Sequence, residues 1–521
     1  MGTAVAPPAR RALALAVVLL GTVPVGCGDD GNDAGEGPPG TTAGTTATTE
    51  AAAGAREETV EAQAFASRPD LAPPVIDVAV HEAGTAPGFL FLAPKQAGVQ
   101  RGALIVDDDG EVVWSGPSDE TVADFRVQEF RGEPVLTWYE GESLGGYGEG
   151  EFVIADTSYE EVARVAAGNG RLGDLHEFQL TDAGTALVLT YDTEPADLSA
   201  VGGPADGFMQ DNHVQEIDVA TGEVLFEWSA ADHVELTDTY SELVPDAAAT
   251  DDEIDDDGSR AAPFDWFHAN SVAEDGDDTL LLSARNTHAV YALDRTTGDI
   301  RWTLGGRSSD FPLTDETTIA WQHDARRLPD GTISLFDNQS SPPTAEESRG
   351  LVLDVDEEAG EVTLVRTFTH PDGVLAGSQG NTQVLEGGNT LVGWGSEGGA
   401  SEFTADGEMV FDATWAPADS YRVFRQEWSG TPTAPPDLVA SVPAGEGVPE
   451  AAMSWNGATE VAAWRVLGGP AADDLDELDT IDKEGFETTV PVGDVAFVQV
   501  EALDADGALL AASDVVEVAA E

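Results

Sequence analysis

The sequence predicts an all-β fold in two parts, and three observations carry that prediction. A turn built on Asp or Gly, followed by an alternating apolar strand, returns six times along the chain. A second hairpin, with a histidine or glutamine at a fixed distance before its turn glycine, returns four times. A proline-rich break, Thr431-Pro432-Thr433-Ala434-Pro435-Pro436, then precedes a last stretch of short alternating strands. Turns flanked by period-2 apolar runs are β-hairpins. Sheet-sized repeats of this kind escape edge exposure by closing radially, so residues 80–430 are expected to form a six-bladed β-propeller. Residues 437–521 are expected to form a small fibronectin type III-like β-sandwich.

The chain opens on a targeting segment. Arg10-Arg11 is followed by the apolar run Ala12–Gly21, which is too short to span a bilayer, and then by Pro24-Val25-Gly26-Cys27. Residues 1–27 resemble a bacterial lipoprotein signal ending at a lipidated Cys27, although Pro24 stands where Leu or Val is usual. The expected location is extracytoplasmic, on the outer face of the cell membrane. Residues 28–79 read as a flexible low-complexity tether and lead-in, because a run such as Thr41-Thr42-Ala43-Gly44-Thr45-Thr46 cannot bury enough apolar surface to fold.

The six turn copies are Asp109-Gly110, the Gly-less Asp156-Thr157-Ser158, Thr221-Gly222, Thr297-Gly298, Ala359-Gly360 and Asp406-Gly407. The other hairpin places the chemistry. His176, His268, His323 and Gln379 each stand eight residues before a turn glycine, namely Gly184, Gly276, Gly331 and Gly387. In a propeller, equivalent inner-strand positions meet at one end of the central channel, so the three imidazoles are expected to converge. The returning strands open at Thr185, Thr279 and Thr332, and six residues on they carry Tyr191, Arg285 and Asn338 back to the same face. Asn270 follows His268 by two residues and, by strand period, is expected on its side. His81, His213, His233, His288 and His370 do not share the register and read as structural. Trp114, Trp228 and Trp302 read as packing residues.

Composition narrows the function. Against 23 Lys+Arg stand 98 Asp+Glu, a net charge of -75, and only Lys95 and Lys483 are lysines. A chain so acidic lacks the basic surface that replaces phosphate counterions, which argues against a nucleic-acid partner and against an anionic lipid surface. Such acidity suits a high-salt habitat or a high-GC genome. The single cysteine excludes an internal disulfide, a Cys-rich zinc site and an iron–sulfur cluster. No cofactor or metal is expected.

The motifs Asp174-Leu175-His176-Glu177-Phe178, Phe267-His268-Ala269-Asn270-Ser271, Leu282-Ser283-Ala284-Arg285, Trp302-Thr303-Leu304-Gly305-Gly306, Trp321-Gln322-His323-Asp324, Leu335-Phe336-Asp337-Asn338 and Ser348-Arg349-Gly350 follow in order. Together they resemble the bacterial arylsulfate sulfotransferase family, in particular its shorter secreted or lipid-anchored branch in actinobacteria and fungi, over residues 85–430. The resemblance implies a six-bladed propeller. It implies transfer of a sulfuryl group from a phenolic sulfate ester to a phenol through a sulfated histidine, without a nucleotide sulfate donor. By motif it implies His323 as nucleophile, His268, Asn270 and Arg285 as holders of the sulfuryl oxygens, and His176 as the remaining active-site histidine. Asn338, Tyr191 and Arg349 complete the expected substrate-binding set. The longer enterobacterial-type members have a disulfide, impossible here, and an N-terminal β-domain for dimer formation, for which residues 28–79 are too short and polar. A monomer is therefore expected.

The sandwich expected at 437–521 rests on Ala452–Trp455, Ala463–Leu467, Thr488–Val492 and Ala496–Ala502, with an early buried Trp. A spacer or binding role suits it better than catalysis. Three other readings stay open from sequence. A non-catalytic binding propeller needs no register-matched histidines. A quinoprotein dehydrogenase would show about eight repeats. A zinc hydrolase would need the histidines about 2 Å from one point.

Overall fold

The computed structural model describes residues 61–95, 98–243, 257–442 and 447–519. The signal segment, Cys27 and residues 28–60 of the expected tether lie outside the described residues. The lead-in at 61–76 is packed: Leu71 and Ile76 are buried in an apolar cluster with Leu90 and Phe411, and Phe65 meets Phe486 at 4.4 Å between ring centroids.

Six antiparallel sheets occupy residues 77–426. Four are built from consecutive strands. They are Thr121–Phe130, Glu133–Ser143, Gly148–Ala155 and Glu161–Val165; Phe178–Leu180, Thr185–Ala196, Gly207–Asp218 and Val224–Ser229; Ala269–Glu274, Thr279–Ala284, Ala289–Asp294 and Ile300–Gly305; and His323–Arg327, Ile333–Asp337, Arg349–Asp356 and Glu361–Phe368. The first and last sheets borrow strands from the opposite end of this stretch. Phe424–Gln426 lines the inner edge of Phe89–Leu92, Gly102–Val106 and Val112–Pro117. Asp77–His81 lines the outer edge of Asn381–Val384, Thr390–Gly393, Gly399–Phe403 and Met409–Thr414. Consecutive sheets pack through their inner strands or the strand next to them, and the sixth returns to the first, with Thr390–Gly393 against Phe424–Gln426.

Each of the six turn motifs joins neighbouring strands on the outer side of a separate sheet, with Asp77–His81 added beyond the last of them, and each histidine or glutamine register position stands at, or one or two residues before, the start of an inner strand. Burial explains why the outer hairpins stand out in the sequence. Glu361–Phe368 alternates exposed residues with buried or half-buried ones, whereas Thr279–Ala284 and Ile333–Asp337 are buried throughout and show no such alternation of exposure.

An inner strand leaves one row of backbone groups without a ladder partner, and these must be satisfied. Side-chain amides do so across the seams. Asn381 accepts from the Val423 N–H and donates to its carbonyl at 3.0 and 2.8 Å. Gln383 treats Arg425 the same way, at 2.8 and 3.0 Å. Gln426 does so to Val127 at 2.7 and 2.8 Å, and Gln128 accepts from Leu180 N–H and donates to the Phe178 carbonyl at 2.9 and 2.8 Å.

Residues 437–517 form two further sheets over a common core that includes Met453, Trp464, Val466, Val498 and Val500; Trp455 is also buried there. This module is fastened to the first two sheets rather than held off them. Asn456 bonds both the N–H and the carbonyl of Ser115 at 2.9 Å, and Gly457 N–H donates to Val113 at 2.9 Å. Tyr159 hydroxyl donates to the Gly457 carbonyl at 2.7 Å. Gly457 has φ 94°, and a Cβ there would stand 2.4 Å from the Tyr159 ring, so only glycine permits this contact. The proline-rich break is itself laid on the second sheet, with Thr431 N–H donating to Thr157 at 2.9 Å.

Candidate active site

The residues at the heads of the inner strands sort into two layers. His176, His323 and Tyr421 meet ring to ring in one, and the residues that follow them, Glu177, Asp324 and Arg422, join an ionic layer beneath. The His176 and His268 rings meet edge-on at 4.9 Å between centroids. Tyr421 stands edge-on to both His176 and His323, at 5.2 and 6.5 Å. Tyr191 stacks on His176 at 5.6 Å and meets His268 at 5.9 Å. Arg285 N–H donates to the His268 carbonyl at 2.9 Å, and its guanidinium lies over Trp321 at 4.7 Å. The structure therefore brings together His176, His268, His323, Tyr191, Arg285 and Asn338.

The three imidazoles differ in what holds their Nδ1. His176 Nδ1 meets the Asp174 carboxylate at 2.6 Å, and His268 Nδ1 meets Asp265. His323 Nδ1 instead meets Asn338 Oδ1 at 2.7 Å. The Asn338 amide is oriented by its own nitrogen, which donates to the carbonyls of Ala376 and Gln379 at 3.3 and 3.0 Å. Its oxygen must then accept, so His323 carries its proton on Nδ1 and presents a lone pair at Nε2. The Gln379 N–H donates to that Nε2 at 3.2 Å.

Charge follows from this arrangement. His323 is 1% exposed, and burial together with the Arg285 charge holds its ring well below the usual imidazole range. Burial also lowers His176, and Asp174 offsets only part of the shift. Burial brings the Arg285 guanidinium down to about 10, with Asp265 and Tyr191 opposing. It keeps Tyr191 and Tyr421 as neutral phenols.

The layer beneath is ionic. Glu177 takes Arg126 and Arg326 at 2.6 Å and Arg422 at 3.2 Å. Asp124 takes Arg422 at 2.7 Å, and Asp324 takes Arg326 at 2.7 Å and Arg422 at 3.1 Å. Three cations and three anions cancel there, which makes burial tolerable. A cavity of about 360 Å³ lies on the far side of this layer from the histidines, lined in part by Arg126, Arg326, Ser334 and Thr382.

Two expected substrate contacts are placed differently. Arg349 is tied to Asp337 at 2.9 Å and to the Thr318 carbonyl at 2.9 Å, because Asp337 and Asn338 point to opposite sides of their strand. Asn270 is fully buried and donates to the Gln322 carbonyl at 2.7 Å. A bulge between Ala269 and Ser271, beside a left-handed His268 at φ 56°, breaks the period of two assumed for it. Asn270 fastens the His268 strand to the His323 strand.

Sequence reasoning passed over Tyr421, which lies outside the repeat register, and His288, which it set aside as structural. His288 meets Trp321 edge-on at 4.2 Å and stacks on Tyr240 at 4.0 Å. Burial, Arg285 and Arg307 push its ring down to about 3. Asp174 could have been found, since it stands two residues before a register histidine, and Asp265 stands three before another. Among the described residues, no three His, Cys, Asp or Glu side chains are grouped to hold a metal. No described helix is long and apolar enough to cross a membrane.

The fold and site define an all-β protein of repeated four-stranded sheets with a buried histidine cluster at one end of its channel. A model of the arylsulfotransferase (ASST) family matches residues 126–416, more than half of the chain, and the chain belongs to that family. No curated protein matches the sequence. Among solved structures, it is similar to a protein of unknown function from Bacteroides caccae (13% identity, 65% of this chain and 98% of that one, TM-score 0.37). It is also similar to virginiamycin B lyase from Staphylococcus aureus (10%, 74% and 92%, 0.29). A third is the Cps50 (Swd1) β-propeller domain of Myceliophteria thermophila (12%, 62% and 95%, 0.31).

Proposed function

We propose that this chain is an aryl sulfotransferase that moves a sulfuryl group from a phenolic sulfate ester to a phenol through a sulfohistidine on His323. The observation that carries this is the unequal backing of the three rings. An imidazole held by an amide and kept neutral by burial offers Nε2 as a nucleophile. An imidazole held by a carboxylate can take up a proton, because the carboxylate stabilises the cation that forms. His323 is the first kind, and His176 and His268 are the second.

In the first half-reaction Nε2 of His323 attacks sulfur, the bond from sulfur to the aryl oxygen breaks, and its electron pair leaves with the phenolate. His268, whose Nδ1 is backed by the Asp265 carboxylate, is placed to give the phenolate its proton. In the second half the now neutral ring takes the proton of the incoming phenol, whose oxygen attacks sulfur and frees His323. Arg285 supplies positive charge for the peripheral sulfuryl oxygens. Tyr191, Tyr147 and Trp321 give the surroundings an aromatic character suited to aryl groups, with Tyr147 stacked on Tyr191 at 5.6 Å.

The proposal extends to the whole chain. The ring of packed sheets supports a six-bladed propeller, and the two C-terminal sheets support a fibronectin type III-like module. The protein acts as a monomer, lipid-anchored through Cys27 on the outer face of the membrane.

Intact-protein mass spectrometry after mixing with 4-nitrophenyl sulfate tests the reaction. The expected result is a transient gain of one sulfuryl group with release of nitrophenol, both absent in His323→Ala. Neither an adduct nor nitrophenol, beside an active control enzyme, would overturn it in favour of a ligand-binding propeller.

A further inference from the structure

Gln379 occupies the register position that His176, His268 and His323 hold in other sheets, yet it carries no imidazole. Its backbone faces the nucleophile instead. The Gln379 N–H donates to His323 Nε2 at 3.2 Å, and its carbonyl accepts from Asn338 Nδ2 at 3.0 Å. Both groups of one residue therefore meet the His323–Asn338 pair, one on each partner. The residue has φ 65°, a left-handed conformation that side chains other than glycine rarely adopt. Its side chain is anchored by donation to Asp419 Oδ2 at 2.7 Å, and Asp419 is paired through its backbone with Lys95.

We infer that Gln379 is a backbone member of the catalytic group. Its N–H caps the lone pair of His323 Nε2 in the resting enzyme and passes to a sulfuryl oxygen when Nε2 attacks. Its carbonyl holds the Asn338 amide in the orientation that sets the His323 tautomer. The transfer role rests on the sulfohistidine reading above; the tautomer role does not. When Nε2 bonds to sulfur it can no longer accept, and the N–H must find the acceptor nearest that nitrogen. A peripheral sulfuryl oxygen, one bond from the sulfur, is that acceptor. No proton changes hands: a hydrogen bond is exchanged while the N–S bond forms and the S–O bond to the aryl group breaks. In the left-handed conformation both backbone groups of Gln379 meet the same pair.

The test separates backbone from side chain. Gln379→Gly removes the anchor to Asp419 but keeps N–H and carbonyl and favours a positive φ. Gln379→Ala tolerates that φ poorly, and Gln379→Val tolerates it least, because a β-branched residue is an outlier there. The readouts are nitrophenol release from 4-nitrophenyl sulfate in a single turnover and the His323 tautomer by nitrogen-15 NMR, with circular dichroism as the check on folding. The expected order of rates is Gly above Ala above Val. Gly should lose roughly three- to tenfold, and Val on the order of 10²–10³-fold, the usual effect of losing one oxyanion donor. The proton should stay on Nδ1 in the Gly variant and distribute over both nitrogens in the folded Val variant. The reverse order, with Gly worst, would show that the side chain matters and the backbone does not, and would overturn the inference. A wild-type protein that releases no nitrophenol would sink the sulfohistidine reading and the transfer role with it. The tautomer series would still decide whether Gln379 sets the state of His323.

Discussion

At the scale of single residues, the site works by giving chemically identical rings different second partners. Three histidines at one register differ because Asp174, Asp265 and Asn338 differ. The His323 ring is held well below the usual range of about 6.5. Its neutral form therefore persists as pH falls, and protonation removes it only in more acidic solution. With a 4-nitrophenyl donor, whose leaving group needs little protonation, the single-turnover rate should stay level from pH 8 to below about 6. A rate that halves near pH 6.5 would contradict the assigned environment of His323. Asn338→Ala frees the tautomer and should slow the same step by roughly 10²–10⁴-fold, with thermal stability reporting separately on folding.

At the scale of elements, the inner strands carry the site and the ionic layer beneath holds them in register. Glu177 follows His176 and gathers guanidiniums from three other strand segments, so its removal is felt at every histidine. Burial raises the Glu177 carboxyl, but Arg326, Arg422 and Arg126 outweigh it and hold it at about 2, against a usual 4.5. A carboxyl depressed on folding stabilises above its unfolded value and loses that contribution as pH falls through the folded one. Its share of stability is thus complete above about pH 4.5 and lost toward pH 2. Glu177→Gln leaves three buried cations short of an anion and should cost about 3–5 kcal/mol in urea unfolding at pH 7. The difference from wild type should shrink on acidification between those two values. An unchanged urea midpoint at pH 7 would mean that the layer does not brace the inner strands. The strands themselves were legible in part: outer hairpins announced themselves by alternation, whereas the buried second strands were placed only by their distance from a turn glycine. The bulge at Asn270 escaped because a single left-handed residue has no compositional mark.

At the scale of the whole molecule, a net charge of -75 surrounds a site built on cations and imidazoles. Self-repulsion of that size opposes compaction, and salt screens it. Thermal melts should therefore shift upward between low ionic strength and about 1 M NaCl, where the screening length falls to about 3 Å. A melting temperature that drops with salt would place the dominant electrostatic term in attractive surface pairs instead. Closure of the fold depends on both ends of the repeat region, since Asp77–His81 completes the last sheet and Phe424–Gln426 the first. The C-terminal module shares this dependence, because Phe486 is buried in the same apolar cluster as Leu90 and Leu104.

The sequence by itself determined the all-β class, the repeat and the convergence of three histidines, because these follow from periodicity and register, which are local or repeating properties; the family was legible separately, in seven motifs that follow in order. Only the tertiary structure decided which partner holds each imidazole, that Arg349 belongs to Asp337, that Tyr421 and His288 stand beside the site, and that the proline-rich break is docked. Each of these depends on which distant residues share a hydrogen bond or a charge in a buried space, and such partnerships leave no spacing in the chain from which to read them.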